Sequence, residues 1–114
     1  MKRRITITGI GVITPIGIGG EALWDGLASG RSGIARIGAF DPEAFETQIA
    51  AEVTDFKAKE YVRPRKALKV MARDIQFAVA AAAAAVDDAQ VKDAVSPMRM
   101  GVSIGAGLMS SDVD

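Results

Sequence analysis

Six consecutive alanines, Ala80 to Ala85, lie inside a segment whose larger apolar residues recur at helical spacing, and this constrains the fold of the 114-residue chain most. Leu68, Met71, Ile75, Val79, Ala82 and Val86 follow one another in steps of three or four, the stripe of an amphipathic α-helix. Alanine has the highest helix propensity, and its small side chain lets a neighbouring backbone come close. The pattern predicts a long helix opening at Pro64, because proline is tolerated in a first turn. Asp87-Asp88-Ala89-Gln90 ends it, poorly by dipole rules, and Ser96-Pro97 marks the loop that follows.

The remaining elements are read from alternation and from turn residues. Residues 5 to 17, ITITGIGVITPIG, read as a strand of alternating Ile and Thr that runs into a glycine-rich loop, with Thr14-Pro15 breaking the ladder. Glu21 to Leu27 has the character of a short helix, with acidic Glu21 in the first turn, Leu23 and Leu27 on one face and Gly30 placed to end it. Trp24 is assigned to the core. Gly30-Arg31-Ser32-Gly33-Ile34 is turn chemistry, Phe40-Asp41-Pro42 marks another break, and the chain between them reads as irregular. Gln48 to Phe56 alternates as a second strand and Met98 to Ile104 as a third, which ends in Gly105-Ala106-Gly107. The order strand, helix, strand, helix, strand predicts a layered α/β domain in which right-handed crossovers set helices against a sheet.

Composition narrows the chemistry. Cysteine and histidine are both absent, which removes disulfides, thiolate nucleophiles, imidazole bases and the usual transition-metal ligands. Fourteen acidic and fourteen basic side chains cancel, so no overall field draws the protein to nucleic acid or to a membrane. Met1-Lys2-Arg3-Arg4 followed by apolar residues has the outline of a signal peptide, but Thr, Gly and Pro interrupt the run and no small-residue cleavage pattern follows. The longest apolar run, Phe77 to Val86, is half the roughly 20 residues of a membrane span. A cytoplasmic protein is the expectation.

The early glycines raise a choice between a nucleotide phosphate and the protein itself as the thing closely approached. Gly9 and Gly11 begin the dinucleotide fingerprint G-x-G-x-x-G, whose third glycine packs the helix on the strand, but Thr14 occupies that third position and Pro15 follows. The phosphate loop with Lys and Ser/Thr is absent from the sequence.

Taken together, Arg3-Arg4 followed by ITITGIGVITPIG, Leu23-Trp24 with Leu27, Gly30-Arg31-Ser32-Gly33-Ile34, Phe40-Asp41, Arg65-Lys66, Met71, Ile75-Gln76, Gly101 and Ile104-Gly105-Ala106-Gly107 resemble the N-terminal part of the β-ketoacyl-acyl carrier protein synthases. These condensing enzymes have the thiolase-like fold, and the elements occur in the family's order along essentially the whole chain. The resemblance implies the N-terminal strand-helix-strand-helix-strand portion of a layered αβαβα architecture, with residues 1–114 forming a fragment of the family's N-terminal domain. It implies glycines that serve turns and tight packing, and no cofactor.

In the family, a cysteine thiolate at a helix N-terminus takes an acyl group from its thioester. Two histidines then stabilise the enolate left by a decarboxylating malonyl thioester, and backbone N–H groups hold the developing oxyanion. Those side chains come later in the family's sequence and are absent here, so the chain by itself is expected to be inactive in that condensation, with no catalytic residue of its own. Two features carry over by resemblance. Arg65, Lys66 and Lys69, within the basic cluster Arg63, Arg65, Lys66, Lys69 and Arg73, are the residues that the resemblance implies for docking acidic acyl carrier protein, Lys66 and Lys69 standing at matching positions; the alternative is a solvated helix face. Leu108 matches a position that can line the acyl-chain pocket; the alternative is plain core packing. A non-catalytic subunit of the chain-length-factor kind and a nucleotide-binding α/β domain remain the rival readings. Apolar faces left uncovered by an absent C-terminal region predict a homo-oligomer.

Overall fold

Pro15 and Ile16 turn the first apolar run back on itself, so that β1 (Ile13–Thr14) pairs antiparallel with β2 (Gly17–Ile18), Ile13 opposite Ile18 and Thr14 opposite Gly17. The Thr14 hydroxyl donates to the Gly17 carbonyl at 2.7 Å and closes the turn from the side chain. This computed structural model describes residues 2–107, which form two units: Val12–Phe56, and the residues up to Gly11 together with those from Lys57 onward.

In the Val12–Phe56 unit, Gly19 stands at φ +90°, a conformation open to glycine, and turns the chain from β2 into α1 (Gly20–Ala28). Glu21 occupies the first turn, and Ser29 caps the far end by donating its hydroxyl to the Asp25 carbonyl at 2.7 Å. Gly30 follows at φ +66°, in the place that the sequence assigned to the helix stop. A Cβ at Gly26 would meet the Ile16 carbonyl oxygen at 2.9 Å, so the buried Gly26 lets the Pro15–Ile16 turn rest on the helix. The seated face of α1 is therefore built around glycine. Trp24 is 69% exposed and Leu27 58% exposed, which corrects the assignment of Trp24 to the core: Ala22, Leu23 and Gly26 form the partly covered side.

The stretch read as irregular contains β3 (Ile34–Arg36), which pairs antiparallel with β4 (Ile49–Ala51) in the register Ile34 to Ala51, Ala35 to Ala50 and Arg36 to Ile49. Three residues of the expected Gln48–Phe56 strand are thus a strand. The hairpin is completed by side chains: the Glu52 carboxylate accepts from the N–H groups of Gly38 at 2.8 Å and Ala39 at 3.1 Å, and Phe40 meets Phe45 edge to face at 5.6 Å. Pro42 is buried.

In the other unit, α2 (Arg73–Asp88) is the organising element, with Ala80 fully buried. It begins later than the sequence predicts. Arg65–Val70 is a separate 3-10 helix behind Pro64, and Met71 and Ala72 are extended between the two. The reset gives α2 its own start, with Asp74 in the first turn where the helix dipole favours a carboxylate. The end at Asp88 lies within the stretch Asp87-Asp88-Ala89-Gln90 that the sequence reads as the stop. A Cβ at Gly9 would lie 2.5 Å from the Ala89 nitrogen, and one at Gly11 would lie 2.7 Å from the Ala85 nitrogen and against the Ala81 carbonyl. The alanine face and the two glycines therefore meet backbone to backbone. The Ile10 N–H donates to Asp88 Oδ2 at 2.9 Å and fixes that approach.

Of the first expected strand only Ile13–Thr14 is in a ladder, and the third forms none. Residues 2–10 and 101–106 carry no strand assignment, and Pro97–Arg99 is a 3-10 turn. Ile5 is 94% exposed, Ile7 81%, Val102 83% and Ile104 60%. A strand is defined by backbone hydrogen bonds to a neighbouring strand, and among the described residues these segments have no such ladder. The α/β class holds, expressed among the described residues as two antiparallel ribbons and two α-helices rather than one sheet.

Candidate functional site

Arg65, Lys66 and Lys69 all stand exposed on the 3-10 helix that precedes α2. With three residues per turn, side chains three apart eclipse one another, so the spacing of Lys66 and Lys69 aligns their ammonium groups on one side. Leu68 and Ala67 of the same turn are partly covered and anchor it. Arg73 belongs to a different element, the first turn of α2, where its guanidinium lies 5.0 Å from the centroid of the Phe77 ring. The sequence cluster is therefore divided: the residues expected to dock a carrier protein share one short element, and Arg73 is set apart by the break at Met71–Ala72.

Leu108, the expected acyl-pocket residue, lies outside the described residues. The chain leading to it does shape a cavity of about 370 Å3, in which Ile104, Gly105, Ala106 and Gly107 face Asp74, Ile75, Ala78 and Val79 of α2. Sequence reasoning did not assign this cavity. Its signals were present as Ile75 and Val79 four apart on the stripe and as the small residues Gly105-Ala106-Gly107. A second cavity of about 600 Å3 lies between the Glu60–Arg63 segment and α2, with Asp87 and Lys92 bringing charges of both signs. In the Val12–Phe56 unit a third, about 360 Å3, is bordered by the Pro15–Ile16 turn, Arg31 and Asp55. Arg31 donates to the Ile16 carbonyl at 3.3 Å there.

Gly9 and Gly11 answer the question the sequence raised. The space a side chain would need at either position is filled by the backbone of α2, so close helix packing accounts for both glycines. Among the described residues no group of three or more Asp or Glu side chains could hold a metal ion, and no helix is long and apolar enough to cross a membrane.

Comparison with known proteins agrees with this geometry. The family described as beta-ketoacyl synthase, N-terminal domain, matches residues 2–113. The chain is 38% identical to a 3-oxoacyl-[acyl-carrier-protein] synthase 2 of Vibrio harveyi over 113 residues, 98% of this chain and 27% of that protein. It is 39% identical to the protein of the same description from Coxiella burnetii over 109 residues, 94% of this chain and 26% of the other. Among solved structures, the ishigamide ketosynthase/chain length factor superposes with a TM-score of 0.74 at 44% identity, over 82% of this chain and 23% of that one. The chain spans about a quarter of the length of the curated relatives it matches.

Proposed function

The chain belongs to the β-ketoacyl synthase family, and from that premise we propose that residues 1–114 are the N-terminal part of a 3-oxoacyl-[acyl carrier protein] synthase of fatty acid or polyketide synthesis. In that reading the carbon–carbon bond is made by a decarboxylative Claisen condensation. Loss of carbon dioxide from a malonyl thioester leaves an enolate, which attacks an enzyme-bound acyl thioester and releases the thiolate. The 114 residues hold no cysteine and no histidine, so the nucleophile and the imidazoles belong to chain outside them. This segment contributes scaffold and surface.

The observation that carries the assignment of its surface is the shared exposure of Lys66 and Lys69 on one side of the 3-10 helix, with Arg65 beside them. A compact basic face at fixed spacing suits the acidic surface of an acyl carrier protein, and long-range attraction would raise the encounter rate more than the affinity. Leu108 keeps its role beside the acyl chain in this reading on the family resemblance. We expect the double variant Lys66→Glu/Lys69→Glu to bind an acyl carrier protein about tenfold more weakly at low salt. Its binding should also lose most of the salt dependence of the parent. Titration calorimetry across a salt series measures both, and unchanged affinity in the variant would overturn the docking assignment.

A second reading is favoured by the likeness to a ketosynthase/chain length factor structure: a non-catalytic subunit that shapes the product without a nucleophile. The two separate on the sequence that adjoins this segment in its gene. A cysteine at a helix start and two later histidines identify the synthase, and their absence identifies the partner subunit.

A further inference from the structure

We infer that Gln76 is a positioning residue for carrier-protein docking, a role that rests on the docking surface proposed above: by holding both residues of the break before α2, it sets the angle at which the turn bearing Lys66 and Lys69 leaves that helix. Met71 and Ala72 are extended there. The last bond of the 3-10 turn, from the Met71 N–H to the Leu68 carbonyl, is long at 3.4 Å, and the α2 ladder starts only with the Gln76 N–H on the Ala72 carbonyl at 3.0 Å. The Met71 carbonyl lies between the two ladders, and the Gln76 side-chain amide donates to it at 2.9 Å in a part-buried setting. One residue therefore takes both carbonyls of the break, that of Ala72 with its backbone and that of Met71 with its side chain.

Leu68 and Ala67 seat the turn, and Gln76 sets its angle. At about 2 Å per residue along a 3-10 helix, Lys66 lies about 10 Å from Met71, so a swing of about 20° at the break would carry it about 3.5 Å. That is more than the length of a hydrogen bond, and a charge-assisted contact to a carboxylate tolerates far less. Long-range attraction depends on the charges alone and survives such a swing, whereas short-range contacts set how long a complex lasts. Ordering a loose turn on docking costs affinity, and the Gln76 bond removes that cost beforehand. The net worth of one hydrogen bond, a factor of about five, bounds the effect.

Gln76→Met keeps the length and helix propensity of the side chain and removes the donor. The sequence has no cysteine, so nitroxides on Val70→Cys and Asp87→Cys, both exposed positions, report the turn against α2 without background. Double electron–electron resonance on the full chain should give one narrow distance distribution with Gln76 and a clearly broadened one with Gln76→Met, at unchanged circular dichroism. Gln76→Glu, which keeps the shape and cannot donate while ionised, should broaden it likewise. By surface plasmon resonance against an acyl carrier protein, Gln76→Met should raise the dissociation rate about fivefold and leave the association rate and its salt slope unchanged. In the Lys66→Glu/Lys69→Glu background the same change should alter neither rate, because the contacts that the turn places are gone. An unbroadened distribution would overturn the inference. So would an equal loss of affinity in both backgrounds, which marks Gln76 as a general stabiliser of the fold. Unchanged binding by Lys66→Glu/Lys69→Glu beside a broadened distribution is a different failure: it removes the docking surface itself, and the positioning role with it.

Discussion

At the residue scale, Gly11 and Gly101 separate two uses of the same side chain. A Cβ at Gly11 would fall on the Ala81 carbonyl and lie 2.7 Å from the Ala85 nitrogen, both main-chain atoms of a helix that cannot yield locally, whereas nothing lies within 4 Å of a Cβ at Gly101. Gly11→Ala should therefore cost about 1–3 kcal/mol, the range of overpacked sites. Gly101→Ala should be neutral or stabilising by about 0.4–1 kcal/mol through the unfolded chain, because its backbone is not in the left-handed region. Urea denaturation midpoints of the two variants test the difference. The need for glycine at 9 and 11 was legible in the sequence as a cluster of glycines behind an apolar alternation. Trp24 shows the limit of such reading: an indole is normally a large contributor to a core, yet here it lies on the outer side of α1, 69% exposed. Its side of the helix is set by Gly26 seating the Pro15–Ile16 turn, a contact that hydrophobicity does not encode.

At the scale of elements, α2 was readable because its stripe and its alanines agree, and its end at Asp88 falls inside Asp87-Asp88-Ala89-Gln90, the stretch that the sequence reads as the stop. Its start was not, since Leu68 and Met71 continue the spacing while the backbone extends at Met71 and Ala72. A three-residue step fits a 3-10 turn as well as an α-helix, so periodicity alone does not distinguish them. The alanine run predicts a further asymmetry: Ala80 is fully buried and Ala82 is exposed. Ala80→Leu should destabilise by about 1–3 kcal/mol, while Ala82→Leu should change stability by less than about 0.5 kcal/mol. Thermal melting of both variants checks the pair, and equal losses would mean that the helix packs on a different face.

For the whole molecule, the chain spans about a quarter of the curated relatives it matches, and among its described residues Ile5, Ile7, Val102 and Ile104 are exposed. The sequence by itself determined that helices lie after Gly19 and through the alanine run, the reason for the early glycines, the family and the absence of a thiol or imidazole, because helical spacing, residue size and functional groups are local properties of the chain. Only the tertiary structure decided that residues 5–10 and 101–106 stand without ladders, that Lys66 and Lys69 share a turn apart from Arg73, and that Trp24 faces water. Each of these depends on which backbone groups find a partner across space, and a strand propensity becomes a strand only when a second strand is there to accept its hydrogen bonds.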